Sequence, residues 1–338
     1  GFSCHLIGEG SLLLHCAERL HADGHRVLGV CSDDRAVRRW AATHGVPVHP
    51  DVPALTAAVV EAPGDYLFSI VNRHILRGEL LTRPRRGAIN YHDAPLPRYA
   101  GTHATSWALL HGERTHGVTW HTIADRVDAG AILAQRPVEV TPDDTAFTLN
   151  TKCYEAAIAA FAELIGALAV DRVQPIAQDA AQRSFFARHR RPDAAAVLRW
   201  TEPAAALHAL VRALDFGPHP NPLGAARLWL PGRLLVVRRA TLAPGAAGAE
   251  PGTVLEIAPG ALTVAARDGA LRITELCTPA GESVSVEQVV VGQALTVGEV
   301  LPTLAPAQAE ALAAANGACA KDEPFWVQRL AALEPCAL

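Results

Sequence analysis

Asn90 and His92 stand two residues apart at the end of an apolar run in INYHDAPLPRYAG, residues 89–101. In an extended strand alternate side chains share a face, so this spacing turns both polar groups to one side while Ile89 and Tyr91 face the other. Pro95 and Pro97 cannot donate to a sheet ladder, and the chain is therefore expected to leave the sheet just past His92. A donor and a base are thereby presented at the C-terminal edge of a strand, where open α/β sheets tend to put their ligands. Further on, HGVTWHTIADRVDAG runs an alternating strand into a loop holding Asp125 and Asp128 ahead of Gly130. Asp128 lies 36 residues after His92 with one helix and one strand between, so the three groups can meet across neighbouring strands. Asn, His and Asp in one place suit acyl transfer to an amine. The attacking amine must lose a proton, which a His accepts near neutral pH. The oxyanion needs an N–H, and an Asn amide supplies one, a contact worth roughly 3 to 4 kcal/mol in the comparable serine-protease site. A nearby Asp orients the imidazole and favours its charged form.

The elements that must hold these groups follow from periodicity. The first stretch goes from an apolar run through Gly8 and Gly10 into a helical pattern (Leu12, Leu13, Cys16, Leu20), then past Gly24 into a second apolar run, a β-α-β opening. Its G-x-G invites a dinucleotide reading, but Leu13 stands where the third glycine belongs. A charged helix (35–44), the segment VPVHP, a helix (53–60) and the strands DYLFSIV and GAINYH come next. Then HATSWALLHG reads as a helix, HGVTWHTI and AILAQRPVEV as strands, and the segment from TPDD onward as one long helix. Strands alternating with helices predict a doubly wound, mostly parallel α/β sheet. Residues 182–202 read as an Arg-rich linker, and 203–300, after a helix over 204–214, as short strands between glycines forming a small β-barrel. The remainder, 301–338, reads as a tail of two amphipathic helices.

With 338 residues the chain has length for more than one core. Half its residues are hydrophobic, 19% are charged and the net charge is −4, a balance that gives polyanions and anionic membranes no electrostatic attraction. No apolar run reaches the roughly 18 to 20 residues of a membrane span, and GFSCHLIGEG lacks the basic start of a secretory signal, so a cytoplasmic location is expected. Seven scattered cysteines, including Cys153 and Cys336, form no C-x-x-C pair and read as reduced packing thiols. His116 and His121 share a strand, but nothing nearby completes a zinc site, and no metal is expected. The absence of Met reads either as a fragment of a longer chain or as modified methionines left out of the written sequence.

NYH, then PLPRYAG, then GERTHGVTWHTIADRVDAGAIL together resemble the signature of the folate-dependent formyltransferases, the superfamily of methionyl-tRNA formyltransferase. PGTVLEIAPGALTVAARDGALRITEL is similar to the C-terminal barrel of the tRNA-acting members. The resemblance implies a Rossmann-like catalytic domain over 1–181, an OB-like barrel over 203–300, and transfer of a formyl group from 10-formyltetrahydrofolate to a primary amine. It also implies that Asn90, His92 and Asp128 are catalytic. The folate would lie in a cleft lined by Phe68, Ile70, Asn72 and Leu76, and by Pro95, Leu96, Tyr99 and Val127 from two loops. Arg98 and Tyr99 are read as lying on an exposed loop. The tRNA-acting members carry a basic Gly- and Pro-rich insertion after the second strand, whereas here CSDDRAVRRWAATHG goes directly into a helix. With only short basic fragments, RLLVVRR (233–239) and HRR (189–191), nucleic acid is not the expected partner. Asp93 replaces a small residue or proline usual in the family, and its carboxylate either contacts the acceptor or points to water. The stretch EPFWVQRLAALEP resembles the lead-in to adenylation domains of nonribosomal peptide synthetases. That resemblance implies an amino acid or carrier-bound aminoacyl acceptor, with a carrier or adenylation domain as partner. The alternatives are a 10-formyltetrahydrofolate hydrolase, a methionyl-tRNA formyltransferase and a non-catalytic scaffold domain.

Overall fold

The apolar runs SCHLIG and YLFSI are buried along almost their whole length, as central strands of a sheet covered on both faces must be. In the computed structural model, which describes residues 1–331 and residue 333, they are β1 (Ser3–Gly8) and β4 (Tyr66–Ile70). The other elements of the first half are α1 (Gly10–Ala22), β2 (Arg26–Cys31), α2 (Arg35–Thr43), β3 (Val48–His49), α3 (Val52–Glu61), α4 (Glu79–Thr82) and β5 (Gly87–His92). There follow β6 (Ala100–Gly101), α5 (Ala104–Leu110), β7 (Thr115–Thr122), β8 (Ile132–Glu139), α6 (Ala146–Ala169) and β9 (Phe185–Phe186). The chain forms two units, the first made of Gly1–Thr105, Arg114–Thr141 and Leu149–Phe186, the second of Ser106–Glu113, Pro142–Thr148 and everything from Ala187 on.

The first unit holds a seven-stranded sheet in the order β3-β2-β1-β4-β5-β7-β8, the mostly parallel doubly wound sheet expected from the alternating pattern. β1 pairs in parallel with both β2 and β4, and β4 with β5, while β7 runs antiparallel to β5 and β8 antiparallel to β7. Helix α1 buries Leu12, Leu13, Cys16, Ala17 and Leu20, one apolar stripe at helical spacing. Asp34 caps α2 by accepting from the N–H groups of Ala36 and Val37. Gly8 has φ +144, and a Cβ there would sit 1.7 Å from the Ile70 carbonyl oxygen. The first glycine of the G-x-G is thus required by the close approach of β1 to β4, a packing demand that involves no nucleotide.

The second unit carries α7 (Ala204–Leu214), β10 (Arg227–Leu230), β11 (Arg233–Ala243), β12 (Val254–Ala258), β13 (Ala261–Ala265), β14 (Ala270–Cys277), β15 (Ser283–Val284), α8 (Val286–Gln293) and α9 (Pro306–Ala331). Its antiparallel sheet has the order β10-β11-β14-β13-β12 with β15 on β14, consistent with the small barrel-like domain expected. Two readings need correction. SVSVEQVVVGQ, expected to continue the run of strands, starts a helix at Val286, because Ser285 and Gln288 form a reciprocal capping box. The tail is one helix where two were expected: α9 continues through Gly317 and Pro324 on the helix propensity of its many alanines. Cys336 and the last residues of the EPFWVQRLAALEP stretch lie outside the described residues. Among the described residues no helix is long and apolar enough to cross a membrane.

Candidate functional site

Strand register brings three polar side chains into one row across the sheet. Ser69 on β4 is opposite Asn90 on β5, and Asn90 is opposite His121 on β7. Directly paired residues share a face, so their side chains meet. The Ser69 hydroxyl donates to Asn90 Oδ1 at 2.8 Å, and Asn72 Nδ2 donates to Ser69 Oγ at 3.2 Å. Asn90 Nδ2 donates to the Tyr91 carbonyl at 2.8 Å and to His121 Nε2 at 3.2 Å. His121 donates its Nδ1–H to the Thr122 carbonyl at 2.8 Å, which leaves the Nε2 lone pair facing Asn90. Burial first, and then the neighbouring His92, lower the His121 pKa to about 4, with Asp128 and the Thr122 bond opposing part of the fall. At neutral pH this ring is uncharged.

His92, at the end of β5, is buried and donates Nε2–H to the Tyr99 carbonyl at 2.9 Å, so the neutral ring keeps its lone pair on Nδ1. Nδ1 is 3.7 Å from Asp93 Oδ1. Asp128 reaches the same place from the loop after β7, with Oδ2 3.9 Å from His92 Nε2 and Oδ1 3.7 Å from His121 Nε2. These separations, 3.7 to 3.9 Å, are too long for hydrogen bonds.

Main-chain contacts fix that loop. Asp128 has φ +50, and its Oδ2 accepts the Gly101 N–H at 2.8 Å. Gln178 Nε2 donates to the carbonyls of Asp128 and Gly130 at 2.9 and 2.7 Å, and Arg183 donates to those of Asp128 and Val127 at 3.3 and 2.8 Å. Tyr99, with φ +59, donates its N–H to Ser184 Oγ at 2.7 Å, and its ring stacks on Phe186 with centroids 5.4 Å apart.

The structure therefore brings Asn90, His92 and Asp128 together, with Asp93 beside them. The residues expected to line a folate cleft differ in exposure. Phe68, Ile70, Leu76 and Leu96 have buried side chains, Leu76 in one apolar cluster with Ile7, Leu55 and Leu80. Asn72, Pro95 and Val127 are partly or largely accessible. The loop expected to expose both Arg98 and Tyr99 exposes only Arg98; Tyr99 is buried under Phe186 because the stacked ring shields it. Sequence reasoning passed over Ser69, Gln178 and Arg183, and weighed His121 only as a metal ligand. A lone Ser in the buried strand YLFSI was the one local signal. Among the described residues no group of three or more His, Cys, Asp or Glu side chains is arranged to hold a metal ion.

Comparison with known proteins bears on the family and the fold. A family model described as formyl transferase matches residues 51–165, and one described as the formyl transferase C-terminal domain matches residues 192–294. Among solved structures, WlaRD, a sugar 3N-formyl transferase crystallised in the presence of dTDP and 5-N-formyl-THF, has TM-score 0.65 at 16% identity, covering 81% of this chain and 97% of WlaRD. An N-formyltransferase from Helicobacter canadensis, in complex with folinic acid and dTDP-3-aminofucose, has TM-score 0.62 at 16% identity over 81% of this chain and 99% of the other. HypX from Aquifex aeolicus, in complex with tetrahydrofolic acid, has TM-score 0.59 at 20% identity over 88% of this chain; the chain spans about half of HypX, 48%. At these identities the likeness is one of fold, but both domain models are matched in order along the chain, and the protein belongs to the formyl transferase family.

Proposed function

We propose that this transferase moves the formyl group of 10-formyltetrahydrofolate to a primary amine, with Asn90, His92 and Asp128 as its catalytic residues. The observation that carries the reading is their meeting at the end of β5: an amide N–H, an imidazole with a free lone pair and a carboxylate within 4 Å of that ring. When bound, the donor supplies an electrophilic formyl carbon. His92 accepts the amine's proton on Nδ1, and the Asp93 and Asp128 carboxylates stabilise the cation. Asn90 Nδ2 donates to the oxygen as it gains charge. The proton then passes from His92 to the departing folate nitrogen, so the amine leaves as a formamide.

The acceptor we propose is an amino acid or an aminoacyl group held on a carrier protein, with a carrier or adenylation domain of a peptide synthetase as partner, in the cytoplasm. Support comes from the tail stretch EPFWVQRLAALEP, from the absence of a basic insertion between β2 and α2, which only Ser32, Asp33 and Asp34 connect, and from the buried free thiols Cys4, Cys16, Cys31, Cys153 and Cys277. The test is release of tetrahydrofolate, followed by absorbance, with water alone, free amino acids, aminoacyl carrier protein, an amino-sugar nucleotide and methionyl-tRNA. Release is expected to require the amino acid or carrier-bound amine and to fall roughly 100- to 1000-fold in His92→Ala. Release with water alone would make the protein a hydrolase, and a response to the sugar or the tRNA would replace the proposed acceptor.

A further inference from the structure

The site contains a polar row that the proposed chemistry leaves unexplained. An Asn amide can rotate and can exchange its oxygen and nitrogen ends; an oxyanion donor must do neither. Asn90 is held at every polar position. Its nitrogen end is fixed because Tyr91 presents a carbonyl, an acceptor only, 2.8 Å away. Its oxygen end receives the Ser69 hydroxyl from β4. The second amide proton meets the Nε2 lone pair of His121 from β7 at 3.2 Å, the longer of the two Nδ2 contacts. His121 can accept there only because the Thr122 carbonyl takes its Nδ1–H and fixes the tautomer.

We propose that Ser69 and His121 are positioning residues, which clamp the Asn90 amide from the two neighbouring strands and hold its second N–H ready for the developing oxyanion. The inference rests on the role given to Asn90 above. A neutral imidazole at 3.2 Å is a weak, exchangeable acceptor, so it sets the direction of the N–H and releases it to a full negative charge. A carboxylate in its place would keep the proton, and an apolar side chain would let the amide turn. Both residues act through Asn90 and need touch neither donor nor acceptor.

The test measures kcat, the KM for each substrate and tetrahydrofolate binding for Ser69→Ala, His121→Leu, His121→Gln and Asn90→Ala, and for the doubles S69A/N90A and H121L/N90A. His121→Leu and Ser69→Ala are expected to lower kcat roughly 10- to 100-fold, the scale of a misplaced catalytic group, with both KM values within about twofold. His121→Gln retains an acceptor and should recover most of the loss. Neither double should be slower than Asn90→Ala alone, because the clamps have nothing left to hold. If His121→Leu fails to fold, Ser69→Ala and its double decide the question alone. Full kcat in Ser69→Ala, or losses that multiply in a double, would overturn the inference. Full activity in Asn90→Ala would instead overturn the role of Asn90 itself.

Discussion

At the scale of single residues, His121 carries a consequence for stability. In the unfolded chain it titrates at the ordinary 6.5, and in the folded protein burial holds it down at about 4. Between those values the unfolded chain binds a proton that the native protein does not, so stability falls as pH drops through this window and is fully present above it. The contribution at stake is on the order of 3 kcal/mol for this side chain, which is 2% exposed. His5, His25 and His208 are also lowered, burial being the largest cause in each, and act in the same direction. Denaturant unfolding at intervals from pH 7.5 to pH 4 should show a steep loss below pH 6.5 in the wild type and a shallower one in His121→Gln, which cannot titrate. Parallel curves would mean that the ring is charged in the native state or that its surroundings are wet.

At the scale of elements, the site depends on close approach of main chains. Gly130 follows the Asp128 loop, and a Cβ there would lie 1.6 Å from the Thr122 carbonyl oxygen of β7. Gly130→Ala must push the loop off the strand; a loss of roughly 1 to 3 kcal/mol in unfolding free energy is expected, with activity falling further because Asp128 moves. Gly166 lies within α6 with nothing within 4 Å of its added Cβ, and Gly166→Ala should stabilise by about 0.5 to 1 kcal/mol with unchanged kcat. Equal effects of the two changes would contradict the packing described. What the sequence made legible follows the same division. The alternation of HGVTWHTI and the two-residue spacing of Asn90 and His92 are local patterns, and β7 and β5 carry them as read. The pairing of Asn90 with Ser69 and His121 is a matter of register between strands, which no local period encodes, and so the clamp went unread. Tyr99 was misplaced for a related reason, since the ring that covers it belongs to Phe186, 87 positions later.

At the scale of the whole molecule, the end of the tail helix leaves large apolar side chains in water. Helix α9 buries Ala309 and Ala320, and Glu323 pairs with Arg191. Past that point the apolar side chains turn outward: Phe325 is 58% exposed, Trp326 54%, Val327 59% and Leu330 61%. Apolar surface that remains wet contributes little to folding, whatever its composition, because the gain arises only on removal from water. Ending the chain after Glu323 should therefore change the unfolding free energy by no more than about 0.5 kcal/mol, as for surface changes in general. Formylation of a small free amine should continue at the full rate, since Asn90, His92 and Asp128 all belong to the first unit and α9 to the second. Loss of these exposed apolar side chains should also lower self-association at high protein concentration, measurable by sedimentation velocity. A fall of several kcal/mol on truncation would show that these side chains are covered in solution, and that the helix end is part of the folded core.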